Sequence, residues 1–268
     1  MAVYARGYRS YASEFKGPPA FLTIFREGYR SAFRSRGFRM IGIFFLVWFV
    51  IWAIVLYFQI AVVDEPQRRV PKAWLDYDGY SGMVLAQTLA NFYAFGISIL
   101  TALLAMLVGS GLVADDLRAN ALPLYLVRPI RPLDYVLGKA LILPGILAHM
   151  TLLPGLAYLL LVSFWQPPGE SWSFLAGHLD VAWVILRHFL VASASYVGLM
   201  MFLSSRSPRR GAVAALAAAV VFGGSMLYAL GQEIPGSGGS AFRLLSLPAN
   251  TIEGFMRHSL RGHGKHLL

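Results

Sequence analysis

Hydrophobic positions run without a charged break through long stretches of this chain, and polar residues gather between them. The first uncharged run covers 41–63, with Trp48 and Trp52 inside it and Gln59 as its one strongly polar side chain. Further runs cover 83–114, 137–165, 181–203 and 211–230. Each has the roughly 20 residues that an α-helix needs to cross a bilayer. The pattern therefore predicts an all-α fold, a polytopic bundle of membrane helices in a single transmembrane domain over 1–268. Ahead of the first run the period changes. Pro18 and Pro19 suit a first helical turn, so a helix is expected over 18–36. On it Phe21, Phe25, Tyr29 and Phe33 recur every fourth residue, and Arg26, Arg30 and Arg34 repeat on the adjoining face. This is the pattern of an amphipathic interfacial helix, with aromatic rings in the headgroup boundary and guanidinium groups on lipid phosphates.

The spans carry their own punctuation. Gly96, Gly109 and Gly111 in the second permit close helix approach, and Pro144 and Pro154 predict a kinked third span. Arg187 and His188 in the fourth are expected to face the bundle, a cavity or the interface, with snorkelling of Arg187 as the plainer outcome. The fifth is almost all Ala, Val and Gly. The loop 64–82 mixes charges with Pro66, Pro71, Trp74, Tyr77 and Tyr80; 166–177 reads as a Pro- and Gly-containing turn and 204–210 as a tight basic turn. No sixth span is expected in 231–268, a tail that carries Arg243, Arg257, Arg261 and Lys265.

Composition agrees. With 57% hydrophobic and 13% charged residues the chain is too apolar for a soluble domain of this size. The net charge of +10 would suggest nucleic acid in a soluble protein; here the basic residues flank apolar runs, where orientation and anionic lipid account for them. Lys and Arg are concentrated before the first span, between the second and third, and at 204–210, which puts these segments and the N-terminus on the cytoplasmic side. Cysteine is absent, so disulfides and thiolate metal sites do not arise.

The segment 115–132 joins the second and third spans. Asp115 or Asp116 suits a helix start, after which Leu117, Ala121 and Leu124 share one side. Pro123 either breaks that helix or opens a second turn. Tyr125 and Arg128 are residue types enriched at protein interfaces. On the residues alone, a solvated loop and a docking knob weigh equally. Gly138-Lys139 is no phosphate loop, because Ala140 follows it and Leu133 stands where the first glycine belongs. Other chemistry is thinly supplied. Ser193 and Ser195 lie near His188 without a Gly-x-Ser-x-Gly turn, and His258, His263 and His266 lack a His-Glu-x-x-His frame. Asp115-Asp116 alone is too little for prenyl transfer over magnesium.

Taken in order, an amphipathic helix, two spans and Asp-Asp-Leu-Arg-x-Asn-Ala-Leu-x-Leu-Tyr-Leu-x-Arg-Pro-Ile-x-Pro-x-Asp-Tyr-x-x-Gly-Lys resemble the permease subunit of type-2 ATP-binding-cassette exporters. Asp115, Asp116, Arg118, Arg128, Pro129, Tyr135, Gly138 and Lys139 carry the match, and the likeness extends from about Pro18 to Leu230. The resemblance implies a dimer with an identical or related permease in a bacterial inner membrane, carried on two cytoplasmic ATPase subunits that bind ATP and Mg; this chain itself would hold no cofactor. It also implies that Asp115, Asp116, Leu117, Arg118, Leu122, Tyr125 and Arg128 form a coupling helix against the ATPase. The chain departs from the family in lacking a sixth span. Gln59, Asn91, Tyr93 and Ser98 are candidate pathway residues because they are polar within spans. The alternative classes are a membrane anchor or sensor without transport and, behind it, a membrane-embedded hydrolase.

Overall fold

The computed structural model describes residues 19–61, 84–85, 88–89, 91–93, 98–121, 131–166 and 168–232. Expectations for the loop 64–82, for Leu122, Pro123, Tyr125 and Arg128, and for the tail beyond 232 lie outside the described residues. Within them the chain is helical: α1 (Ala20–Arg34), α2 (Arg36–Ala61), α3 (Ser98–Gly109), α4 (Ala114–Arg118), α5 (Pro132–Leu147), α6 (Leu152–Phe164), α7 (Ser171–Gly177), α8 (Leu179–Arg206) and α9 (Arg210–Gln232). Five segments are long and apolar enough to cross a membrane, Arg36–Ile60, Ser98–Arg118, Pro132–Phe164, Leu179–Arg206 and Arg210–Leu227. This is an integral membrane protein.

Ser35 separates α1 from α2. Its extended backbone ends the first helix, and its hydroxyl accepts the Phe38 amide at 3.1 Å, capping the second. Proline explains the break in the third span, although it acts at only one of the two expected positions. α5 runs through Pro144, whereas the chain leaves the helix over 148–151, just ahead of Pro154. Pro154 has no amide to offer the Met150 carbonyl and its ring crowds that oxygen. The Leu153 amide reaches back five residues instead, to Ala148 at 2.9 Å. The 166–177 turn is also more ordered than its composition suggests, since it holds α7.

Apolar side chains collect in two clusters. The first joins Leu104 and Met106 of α3, Leu143 and Ile146 of α5, Met200 of α8 and Val221 of α9. The second joins Leu56 of α2, Phe92, Tyr158 of α6 and Ile185 of α8. α2 is bound to the second cluster partly through the Tyr158 hydroxyl, which donates to the Phe49 carbonyl at 2.8 Å. Its outer face, including Ile43, Phe44, Val47, Val50 and Ile54, stays exposed.

α1 packs part of its aromatic face on α5, while Phe33 at its end stays exposed. Phe21 and Ile24 lie at Gly138, Gly28 at Ile142, Phe25 and Tyr29 at Gly145, and Tyr29 and Phe33 at His149, so α1 and α5 run side by side in the same direction. The His149 imidazole donates from Nδ1 to the Gly145 carbonyl at 3.0 Å, which leaves Nε2 to accept the Tyr29 hydroxyl at 3.1 Å. Burial there raises the Tyr29 phenol above its usual pKa. Close backbone approach makes this packing available: a Cβ on Gly138 would stand 2.8 Å from the Phe21 carbonyl oxygen. Arg26, Arg30 and Arg34 remain exposed.

Gly138→Leu should therefore separate α1 from α5 and destabilise the protein by about 1–3 kcal/mol, the usual cost of overpacking. Gly42→Leu, at a glycine with no neighbouring atom within 4 Å, serves as the matched control and should leave the melting temperature in mild detergent unchanged. Equal melting temperatures for the two variants would refute the packing role.

Candidate functional site

The polar residues of the connector assemble at a corner. α3 stops at Gly109, a turn spans 110–113, and α4 begins with Val113 at the N-cap and no side-chain cap. Asp115 and Asp116 thus lie in the first turn of α4, where carboxylates still oppose the positive end of the helix, but neither takes the capping position expected of them. The helix is also shorter than the sequence suggests. It ends in a Schellman motif: Asn120 is left-handed at φ 49°, the Ala121 amide donates to the Asp116 carbonyl at 2.9 Å and the Asn120 amide to Leu117 at 3.2 Å. Ala121 therefore lies beyond the helix, and its expected alignment with Leu117 along one helical side does not form. Leu117 packs on the first apolar cluster, and Arg118, Ala119 and Asn120 form an exposed tip.

The two aspartates turn toward the bundle. One oxygen of Asp116, Oδ2, accepts the Tyr135 hydroxyl at 2.7 Å and meets Lys139 Nζ at 2.7 Å. Tyr135 and Lys139 are one helical turn apart on α5, whose first turn is opened by Pro132, so both reach the same carboxylate. The ammonium of Lys139 also lies 5.8 Å from the Tyr135 ring centre. The pair is shielded, with 14% of the Asp116 side chain and 16% of Lys139 exposed. Asp115 looks the other way, to Arg210 at the start of α9, with Oδ1 3.4 Å from Nε. Arg210 donates in addition to the Leu107 carbonyl at 3.4 Å, crossing over Gly111, where a Cβ would stand 2.6 Å from the guanidinium. Gly111 therefore serves a side-chain crossing rather than the helix approach expected of it.

The geometry makes this corner a tie among three spans. α4 continues the second candidate span, Asp116 fastens it to the third and Asp115 to the fifth. The two ties differ in strength. Asp115 and Arg210 are about half exposed, and such pairs contribute less than about 1 kcal/mol. The Asp116 interactions are charge-assisted and largely removed from water, which strengthens them. Sequence reading missed Arg210, which it placed only in a basic turn.

The interior polar residues are dispersed. Gln59 accepts the Thr88 hydroxyl at 3.4 Å, and Ser98 donates to the Tyr93 carbonyl at 2.8 Å. Tyr93 is fully buried; its hydroxyl donates to the Thr151 carbonyl at the break before α6, and its ring lies 4.8 Å from that of His188. Asn91 is half-buried, as is Arg187, while His188 is buried in the bundle. Tyr93 and Ser98 are thus brought together by a direct contact. Ser193 is buried on α8 and its hydroxyl has no hydrogen-bond partner among the described residues. Among the described residues no group of three or more His, Asp or Glu side chains is placed to hold a metal.

The fold and this corner define an all-helical integral membrane protein whose second, third and fifth candidate spans are tied at one end by carboxylates. No protein-family model matches the chain, and neither a curated protein nor a solved structure matches it with significance.

Truncating Asp116 to Ala leaves Lys139 shielded and unpaired and should cost about 1–3 kcal/mol, a range below that of a fully buried pair because both groups keep some contact with water. Asp115→Ala should cost less than about 1 kcal/mol. Thermal unfolding of both variants in one detergent checks the ranking, and an equal or inverted order would show that the Asp116 contacts do not hold the corner.

Proposed function

We propose that this chain is the membrane-spanning permease subunit of an ATP-driven exporter of the ATP-binding-cassette class. It would work as a dimer with an identical or related permease, in a bacterial inner membrane with the N-terminus cytoplasmic. Separate ATPase subunits would bind ATP and Mg. One observation carries the reading: the short helix after the second candidate span presents an exposed tip and is anchored by shielded charge to the head of the next span. A solvated loop has no need of such an anchor, whereas a part that receives force does.

In this reading the roles within the connector divide. Arg118, with Leu122, Tyr125 and Arg128, meets the ATPase. Asp115 and Asp116 face inward and pass its displacement on, Asp116 to α5 through Tyr135 and Lys139, and Asp115 to α9 through Arg210. α1, seated against α5, supplies the amphipathic interfacial helix of the assembly, with Arg26, Arg30 and Arg34 toward the headgroups and Phe21, Phe25, Tyr29 and Phe33 shared between α5 and the boundary. ATP-driven approach of the two ATPases would move both tips, and the apolar pathway between two permeases would change the side to which it opens. No covalent step occurs in this chain. Gln59, Asn91, Tyr93 and Ser98 would supply polar points along or behind that pathway.

The test is purification in gentle detergent followed by assay of bound ATPase. A soluble ATPase should accompany the wild-type chain in stoichiometric amount and be lost from Arg118→Glu combined with Tyr125→Ala. Asp116→Asn should keep the ATPase bound while abolishing the stimulation of ATP hydrolysis by the permease. A wild-type chain that is folded and carries no ATPase would overturn the exporter assignment.

A further inference from the structure

The break at Ser35 gathers charge at one corner. Between Ala20 and Ala61 the chain carries Arg26, Arg30, Arg34, Arg36 and Arg39 against a single acid, Glu27. Arg34 ends α1, while Arg36 and Arg39 stand in the first turn of α2, and all three are exposed. No described carboxylate forms an ion pair with any of them. The positive end of the 26-residue α2 adds to the same potential.

The side chains further along α2 set the kind of ligand. Arg36, Arg39, Met40, Ile43, Val47, Val50 and Ile54 recur at helical spacing on one exposed face. Met40 is 71% exposed and Ile43 65%, the most open apolar side chains of the helix, and they sit one turn beyond Arg36 and Arg39. A cationic head leading directly into an uncovered apolar stripe complements an amphiphile with an anionic head and a hydrocarbon tail. From Arg39 to Ile54 the stripe extends about 22 Å at 1.5 Å per residue, enough to accompany an acyl chain through one leaflet.

We propose that the α1–α2 corner is a binding site for an anionic phospholipid, with the phosphate held by Arg34, Arg36 and Arg39 and an acyl chain laid along Met40, Ile43 and Val47. The site is distinct from the aromatic face of α1, part of which packs on α5, and it stands whether or not the chain is a permease. Arg34 belongs to both the interfacial stripe and this corner; Arg36 and Arg39 belong to the corner alone.

Native mass spectrometry of the full chain, after equilibration with phosphatidylglycerol or phosphatidylcholine in mixed micelles, tests the site. Phosphatidylglycerol should be retained in preference to phosphatidylcholine, and the preference should weaken as salt is raised. Each arginine removed from the corner should lower retention roughly fivefold. Arg36→Gln with Arg39→Gln should therefore lose most of the preference, while Arg206→Gln with Arg209→Gln, at the basic turn between α8 and α9, should keep it. Melting temperatures in phosphatidylcholine micelles, equal for wild type and both variants, establish that folding is intact; a corner variant that fails this check is replaced by the single Arg39→Gln. Equal retention of the two lipids by the wild type, or an unchanged preference in a folded corner variant, would overturn the proposal.

Discussion

A carboxylate withdrawn from water needs its lone pairs answered, and Asp116 meets that demand from a neighbouring helix rather than its own. Its oxygen takes a phenol and an ammonium from α5, one turn apart, so the position of α4 is set by that of the third candidate span. The direction of the chain at the corner depends on the same arrangement. The left-handed Asn120 turns the chain so that the Ala121 amide returns to the Asp116 backbone carbonyl, and one residue, Asp116, anchors the helix by its side chain and ends it by its main chain. Gly111 leaves room for Arg210 to fasten the other side.

The broad architecture was legible because membrane helices announce themselves by length and apolarity, which require no knowledge of neighbours. The two prolines were visible as punctuation, whereas the break at Ser35 was not, because the aromatic stripe carries a helix through it to 36; and only packing decides which proline breaks a helix. Pro144 stands within a turn enclosed by Leu143, Ile146 and Leu147, all buried, and the helix persists around it. Pro154 stands where the chain passes between the two clusters and yields. The roles of Asp115 and Asp116 were half legible: two acids at a helix start are a local signal, but their partners are separated in sequence, Lys139 by one loop and Arg210 by most of the bundle. No periodicity links such residues.

The amphipathic helix shows a related limit. A stripe of Phe21, Phe25, Tyr29 and Phe33 has the same moment whether it faces acyl chains or another helix. The distinguishing residues were glycines on both sides of the contact, Gly28 on α1 and Gly138 and Gly145 on α5, which are informative only once the two helices are known to be adjacent. Ile142, Ile24 and the rings of Phe25 and Tyr29 then fill the space that the missing Cβ atoms leave.

The interruption ahead of Pro154 divides more than one helix. α5 belongs to the first apolar cluster and α6 to the second, and the buried Tyr93 hydroxyl is bonded to a carbonyl at the seam between them. α8 passes unbroken through both clusters, with Ile185 in one and Met200 in the other. The bundle is thus two storeys sharing a continuous post, with an articulated member beside it. The carboxylate corner is fixed to α5 on the near side of that interruption, so the only helical segment it holds in the third span is the one that ends there, and α6 takes its direction from the other storey.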